Sequence, residues 1–285
     1  MARIRVITDS ACDIPEEIAR RLDIDIVSLS IRFGDDEFID RVDLSPAEFW
    51  AKCKASKTLP ETAAPSPGAF QAAYERAKAD GCDGVIVLTL TSLLSATHQS
   101  AVIACEAVAG SIDVRVVDTK AVTMAQGLLA IDVAEVAATR VSLDLLVEHA
   151  ESLVNKVGVV AMLDTLEHLI KGGRVGGARA LLGQVLAIKP LLELKDGIVA
   201  EAGRQRTRAK ALQAITNVAR SHAPLRRLAI VHGAAGDLSA LQGLVADVGP
   251  EFALVVADIG PVVGTHGGPG IIGLAWVEAP RHQHH

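Results

Sequence analysis

The sequence predicts an α/β protein of two domains. The first (residues 1–155) is built on a mostly parallel sheet with flanking helices, and the second (156–280) on a mixed sheet. Three observations carry this. Short β-branched runs alternate with helical stretches over most of the 285 residues, the rhythm of strand–helix–strand units. The run 84–90 (GVIVLTL) is apolar almost without a break, as a strand covered on both faces requires. In the second half, Asp196-Gly197 separates two apolar runs, the local signal of an antiparallel hairpin.

In chain order, residues 3–8 (RIRVIT) form the first strand. Asp13 precedes Pro15; proline suits a first helical turn, so Asp13 is the expected cap of a short helix. Residues 25–31 read as one strand and 33–37 as a turn. Ser45-Pro46 opens a helix to about residue 56. Residues 62–68 read as a loop and 69–79 as a helix. A helix at 97–109, a strand at 114–118, helices at 123–139 and 143–155 and a strand at 157–162 follow. Then the texture changes. A short helix at 165–170 leads into the glycine-rich run 171–177 (KGGRVGG), and a helix resumes at 178–186. The hairpin strands fall at 188–194 and 197–202. A helix at 207–222, a strand at 227–231, a helix at 238–248 and a strand at 252–257 precede a Gly/Pro-rich loop and a last strand at 272–277. Residues 281–285 are a His-rich tail with no function assigned to it.

Composition excludes several classes. With 50% hydrophobic residues and 22% charged ones the chain is no disordered segment. Aromatics are only 3% and the net charge is −6. Stacking platforms and a general basic face are therefore both lacking, and with no helix-turn-helix pattern nucleic acid is not an expected partner. Cys12, Cys53, Cys82 and Cys105 show no metal-ligand spacing and read as reduced thiols. The N-terminus lacks the apolar stretch of a secretory signal, so the expected location is cytoplasmic. Two stretches, 84–105 and 259–277, carry no Asp, Glu, Lys or Arg. Hydroxyls, His, Gly and Pro interrupt both, so neither is a membrane helix and no stable membrane insertion is expected.

Those interruptions are the informative feature. Three segments place small hydroxyl or imidazole groups directly after apolar sequence, where strand-end loops and ligands meet in α/β sheets. They are 62–68 (TAAPSPG), 91–100 (TSLLSATHQS) and 264–270 (GTHGGPG). The first also reads as a proline turn capping the next helix through Ser66. The second offers five hydroxyls where a cap needs one, and an anion site at the helix start is the functional reading. The third holds His266 among glycines. Lys171, Arg174 and Arg179, and the alternating Arg204, Arg206, Arg208 and Lys210, read either as solvated charge or as a docking face for an acidic or phosphate-bearing partner. Asp9-Ser10 and Asp118-Thr119 end strands and read as loop-holding caps or, alternatively, as ion ligands, with capping the expectation.

Five stretches in this order resemble the DegV family of bacterial fatty-acid-binding proteins. They are Ile7-Thr8-Asp9-Ser10, the Thr62…Pro65-Ser66-Pro67 loop, residues 94–101 (LSATHQSA), Lys171-Gly172-Gly173-Arg174 and the 264–270 segment. The resemblance spans residues 4–278. It implies a two-domain α/β fold with a long-chain fatty acid between the domains. It further implies a lipid-carrying subunit of a bacterial fatty acid kinase, with no cofactor or metal and no catalysis of its own. A separate ATP-binding subunit would phosphorylate the bound acid to an acyl phosphate for phospholipid synthesis. The family's carboxylate contacts fall on Thr62, Ser95 and His266, with Ala96, Thr97 and Gly267 beside them. Contacts with the kinase partner fall on Arg174, with Lys171 and Arg204. Two departures stand out: Ala63 and Ala64 replace the family's usual Ser and Gln, and Ala96 and His98 its usual Gly and Tyr.

The residues fit that implication physically. Burying roughly 14 methylenes gains on the order of 11 kcal/mol gross, much of it offset by association and ordering. A buried anion is satisfied by neutral donors, and the expectation is an uncharged head-group cluster. No P-loop is present, so ATP must be bound elsewhere. A Ser/His hydrolase using Ser95, His266 and Asp9 or Asp118 is the competing reading. Ser95 sits in Leu-Ser-Ala, however, not in a G-x-S-x-G elbow. A small phosphate- or sugar-binding protein is the other.

Overall fold

Strand β1 (Ile4–Asp9) is buried at every residue, the mark of a strand with neighbours on both sides and cover on both faces. The structure is a computed structural model that describes residues 2–181 and 188–280. After β1 come α1 (Glu16–Arg21), β2 (Ile24–Val27), β3 (Ser30–Phe33), β4 (Asp36–Ile39), α2 (Pro46–Ala55), β5 (Glu61–Ala63) and α3 (Pro67–Ala79). Next are β6 (Gly84–Thr89), α4 (Thr97–Ala107), β7 (Asp113–Asp118), α5 (Thr123–Ala137) and α6 (Leu143–Val154). The second half supplies β8 (Val157–Met162), α7 (Glu167–Lys171), β9 (Lys189–Lys195), β10 (Ile198–Gln205) and α8 (Arg208–Ser221). It ends with β11 (Leu225–His232), α9 (Leu238–Val245), β12 (Val255–Asp258), α10 (Pro261–Gly267) and β13 (Ile272–Glu278). Of the predicted helix 178–186, residues 178–181 belong to a 3-10 helix that starts at Gly176. The rest of it and the 281–285 tail lie outside the described residues.

Among the described residues, β2-β1-β6-β7 form a parallel sheet in the N-terminal part. In the C-terminal part β10-β9-β8-β13-β11-β12 form a mixed sheet, antiparallel except between β11 and β12. The Asp-Gly hairpin is present: Asp196 and Gly197 take φ of 51° and 82° between β9 and β10, as a type I′ turn requires. Helix α5 is buried along most of its length and packs on β1 from one sheet and on β8, β11 and β13 from the other. One apolar cluster accordingly runs from Ile4 and Val6 through Leu128 and Leu129 to Ala275 and Val277.

Four expectations need correction. The predicted strand 25–31 is two strands in different sheets. The Leu29 amide is taken by Ser10 Oγ at 3.0 Å, so the chain leaves the parallel sheet there and β3 joins β4 and β5. Residues 62–68 are not all loop: Thr62 lies within β5, opposite Ile31 of β3, while Ser66 caps α3 as expected. Half of the glycine segment 264–270 is helical, because α10 runs to Gly267 before Gly268 and Gly270 turn the chain at positive φ. Asp13 does not cap α1. Its φ of 51° turns it away from that helix, and its carboxylate accepts from Thr123 Oγ1 and the Gly260 amide instead. No helix among the described residues is long and apolar enough to cross a membrane.

Candidate functional site

The carboxyl ends of all four parallel strands converge on one cavity of about 240 Å³. Ala11 follows β1, Leu29 follows β2, Leu90, Leu94, Ser95 and Ala96 follow β6, and Val122 follows β7; all line it. This is the edge at which open α/β sheets bind ligands. The opposite wall comes from the mixed sheet, with Val159, Ala161, Leu163, Leu192 and Val199. Most of the lining is therefore aliphatic, as a chain with few rings dictates.

Thr62, Ser95 and His266 all border this cavity, although β5, the β6–α4 loop and α10 carry them separately. Thr62 Oγ1 lies 3.0 Å from His266 Nε2. Ser95 Oγ is 2.9 Å from Thr97 Oγ1 and accepts from the Thr97 amide at 3.3 Å. Ala96 and Gly267 line the cavity as well. Thr97 is fully buried and not among the lining residues; its place is to hold Ser95.

The imidazole of His266 is fixed from three sides. His168 Nδ1 is 3.1 Å from the Thr265 carbonyl and so holds the last turn of α10. Gly172 lies flat against the ring: a Cβ built there would fall 2.3 Å from His266 Nδ1, so only glycine allows this approach. Nδ1 itself is buried and has no hydrogen-bond partner among the described residues. Burial first, then the charge of Arg174 and the neighbouring His168, pushes the His266 pKa down to about 4. The ring is neutral at neutral pH.

Arg174 corrects the expectation of an uncharged cluster. It lines the cavity, and its guanidinium donates to the Leu94 carbonyl at 3.2 Å and the Gly172 carbonyl at 2.6 Å. Lys171 and Arg204 are exposed, paired with Glu167 and Glu201 at 3.4 Å each. Arg208 is not free surface charge: it pairs with Asp237 and Asp164 and donates to the Gly270 carbonyl.

The strand-end aspartates hold loops. Asp9 accepts from the Leu90 and Ala11 amides and from Gln126, and burial raises its pKa to about 6. Asp118 accepts from the Ser92 and Lys120 amides. Neither aspartate bonds to His266, and Ser95 bonds to Thr97. The hydrogen-bonded Ser-His-Asp chain of a hydrolase is thus not assembled from these residues. The described residues contain no group of His, Cys, Asp and Glu able to hold a metal ion.

Three features of the site escaped sequence reasoning. Arg174 in the wall and Gly172 against His266 were legible only as a Lys-Gly-Gly-Arg motif, not as cavity parts. Thr123, which lines the cavity, carried no signal at all.

Similarity to known proteins agrees with this architecture. The family model "Uncharacterised protein, DegV family" matches residues 3–279. A DegV domain-containing protein of Listeria monocytogenes is 33% identical over 280 residues, covering 96% of this chain and 98% of the relative. A DegV family protein from Thermus thermophilus, solved for its fatty acid binding, superposes with a TM-score of 0.90 at 32% identity, over 97% of this chain and 100% of that one. DegV of Bacillus subtilis, solved as a fatty acid binding protein, gives 0.87 at 29% identity, over 98% and 100%. The match along nearly the whole length, in sequence and in fold, shows that the chain belongs to the DegV family.

Proposed function

We propose that this chain holds a long-chain fatty acid in the cavity and presents its carboxylate to a separate ATP-dependent kinase subunit. The observation that carries the reading is a largely aliphatic cavity on which the hydroxyls of Thr62 and Ser95 and the imidazole of His266 converge. The aliphatic wall suits an alkyl tail and leaves a sugar or free phosphate without partners for most of its polar groups, each costly to bury unpaired. The fatty acids bound by relatives of the same fold support the same assignment.

His266 Nδ1 faces Gly172 without a partner, and a proton there would be an orphaned buried donor. The proton is therefore assigned to Nε2, which donates to Thr62 Oγ1. That frees the Thr62 proton for an anion in the cavity. Ser95 contributes a second hydroxyl, and Arg174 adds positive potential while two carbonyls restrain its guanidinium. The direct donors to the carboxylate are neutral hydroxyls, and the Arg174 guanidinium is occupied by two backbone carbonyls, so the anion keeps its nucleophilicity; this matters because ground-state overbinding does not raise a chemical rate. In the transfer, a carboxylate oxygen bonds to the γ-phosphorus of ATP as the bond to ADP breaks. The ATP and its machinery belong to the partner, and the acyl phosphate feeds phospholipid synthesis. Arg174, Lys171 and Arg204 are the residues assigned to that partner.

Mass spectrometry of an organic extract from the purified protein tests the reading. A stoichiometric long-chain fatty acid is expected. A copurified polar phosphate or sugar, with no fatty acid, overturns it.

A further inference from the structure

Three chain segments that line the cavity meet at one buried side chain. Asp13 lies two residues after Ala11; its Oδ2 accepts from Thr123 Oγ1 at 2.6 Å, and its Oδ1 accepts from the Gly260 amide at 2.9 Å. Thr123 opens α5 and lines the cavity beside Val122. Gly260 is the N-cap of α10, which carries Val262, Val263, His266 and Gly267 into the same wall. We propose that Asp13 is a positioning residue of the ligand site: it ties the start of α5 to the start of α10 and so fixes where His266 stands. The inference rests on the fatty-acid reading above.

The backbone shows that this joint is imposed rather than relaxed. Thr123 sits at φ 48°, a region that β-branched residues avoid. Such strain persists only where surrounding contacts enforce it, and it gathers at functional sites. The contact that engages the Thr123 side chain is Asp13. On the other side, a Cβ at Gly260 would fall 2.9 Å from Asp13 Oδ1, so the α10 cap is shaped to the carboxylate. Asp13 is only 3% exposed. Burial is the largest influence on its carboxylate; the bonds from Thr123 and the Gly260 amide, and then Arg41, oppose it, Asp40 adds to it, and the result is a pKa of about 7. An ordinary helix cap on the surface carries no such penalty.

The test compares Asp13→Ala with Asp13→Asn. Asparagine keeps an oxygen for the Gly260 amide and a polar group opposite Thr123; alanine keeps neither. The readouts are the affinity for cis-parinaric acid by fluorescence and the His266 ring resonances by NMR. Asp13→Ala should weaken binding by about tenfold or more and shift the His266 resonances, and Asp13→Asn should restore both. The proposal is overturned if Asp13→Ala binds like wild type with an unmoved His266 signal. Should the alanine variant not fold, Thr123→Val, which removes one of the two bonds to Asp13, takes its place: a moved His266 signal is expected, and an unmoved signal in the folded variant overturns the proposal. If wild type takes up no cis-parinaric acid, the fatty-acid reading fails instead, and the NMR comparison still decides the role of Asp13.

Discussion

His266 Nε2 and Thr62 Oγ1 stand 3.0 Å apart although 204 residues separate them in the chain. The contact joins β5, in the small antiparallel sheet, to the last turn of α10, and it sits on the wall of the cavity. Thr62→Val keeps the shape and removes both the acceptor for Nε2–H and the proton aimed at the ligand. Fatty-acid affinity should fall by about 10- to 100-fold, the usual consequence of leaving one buried polar group unpaired. Titration with a fluorescent fatty acid checks this, and thermal unfolding shows whether the fold is retained.

Gly172→Ala asks whether the ring position matters. The φ of Gly172 is compatible with alanine, since it is not among the positive-φ glycines. The new methyl, however, would meet His266 Nδ1 at 2.3 Å. The ring must move, and with it the bond to Thr62. Weakened fatty-acid binding with a nearly unchanged thermal midpoint is expected; unchanged affinity would mean that His266 is not positioned through Gly172.

What the sequence made legible follows from the range of the forces involved. Residues 157–162 coincide with β8, Ser66 caps α3, and Asp196-Gly197 turns a hairpin, because strand runs, caps and tight turns are decided within a few residues. The three polar segments were also visible, since each interrupts an apolar run. Their junction was not, for it depends on contacts such as His168 with Thr265, 97 residues apart. That Arg174 also lines the cavity was not legible, because its orientation is set by the Leu94 carbonyl, 80 residues away. Asp13 looked like a cap because Pro15 follows it, but its partners lie 110 and 247 residues along the chain. The break between β2 and β3 likewise hangs on Ser10, not on anything local.

The neutral imidazole gives the stability of the protein a definite pH signature. The folded-state pKa of His266 is lowered to about 4, chiefly by burial, below the ordinary value of about 6.5. Between these values the unfolded chain binds the proton more tightly, so this residue's contribution is complete above about pH 6.5 and is lost as pH falls towards 4. Asp9 and Asp13, whose pKa values are raised to about 6 and 7, act with the opposite sign over much of the same range. The residue must therefore be isolated by difference. The stability gap between wild type and His266→Gln, measured by urea unfolding, should shift by roughly 1–3 kcal/mol between pH 7 and pH 4.5, wild type losing more. A gap independent of pH would show that the ring titrates as if exposed.

Loading and phosphorylation should separate at the surface residues. Lys171 and Arg204 are exposed and lie outside the cavity lining, so reversing their charge leaves the wall of the site in place. Arg174 does not offer this separation, because it lines the cavity and its charge acts on His266. The double variant Lys171→Glu/Arg204→Glu should copurify with the same fatty acid at the same stoichiometry as wild type. If the proposed kinase reading holds, then in a reaction reconstituted with a fatty acid kinase ATP-binding subunit and ATP it should form acyl phosphate more slowly, with the loss appearing as a raised half-saturating concentration of this chain. Rim charges act mainly on encounter, and their influence falls with salt. The difference from wild type should therefore shrink as ionic strength rises. Equal turnover of wild type and the double variant at low salt would reject Lys171 and Arg204 as the proposed kinase contact.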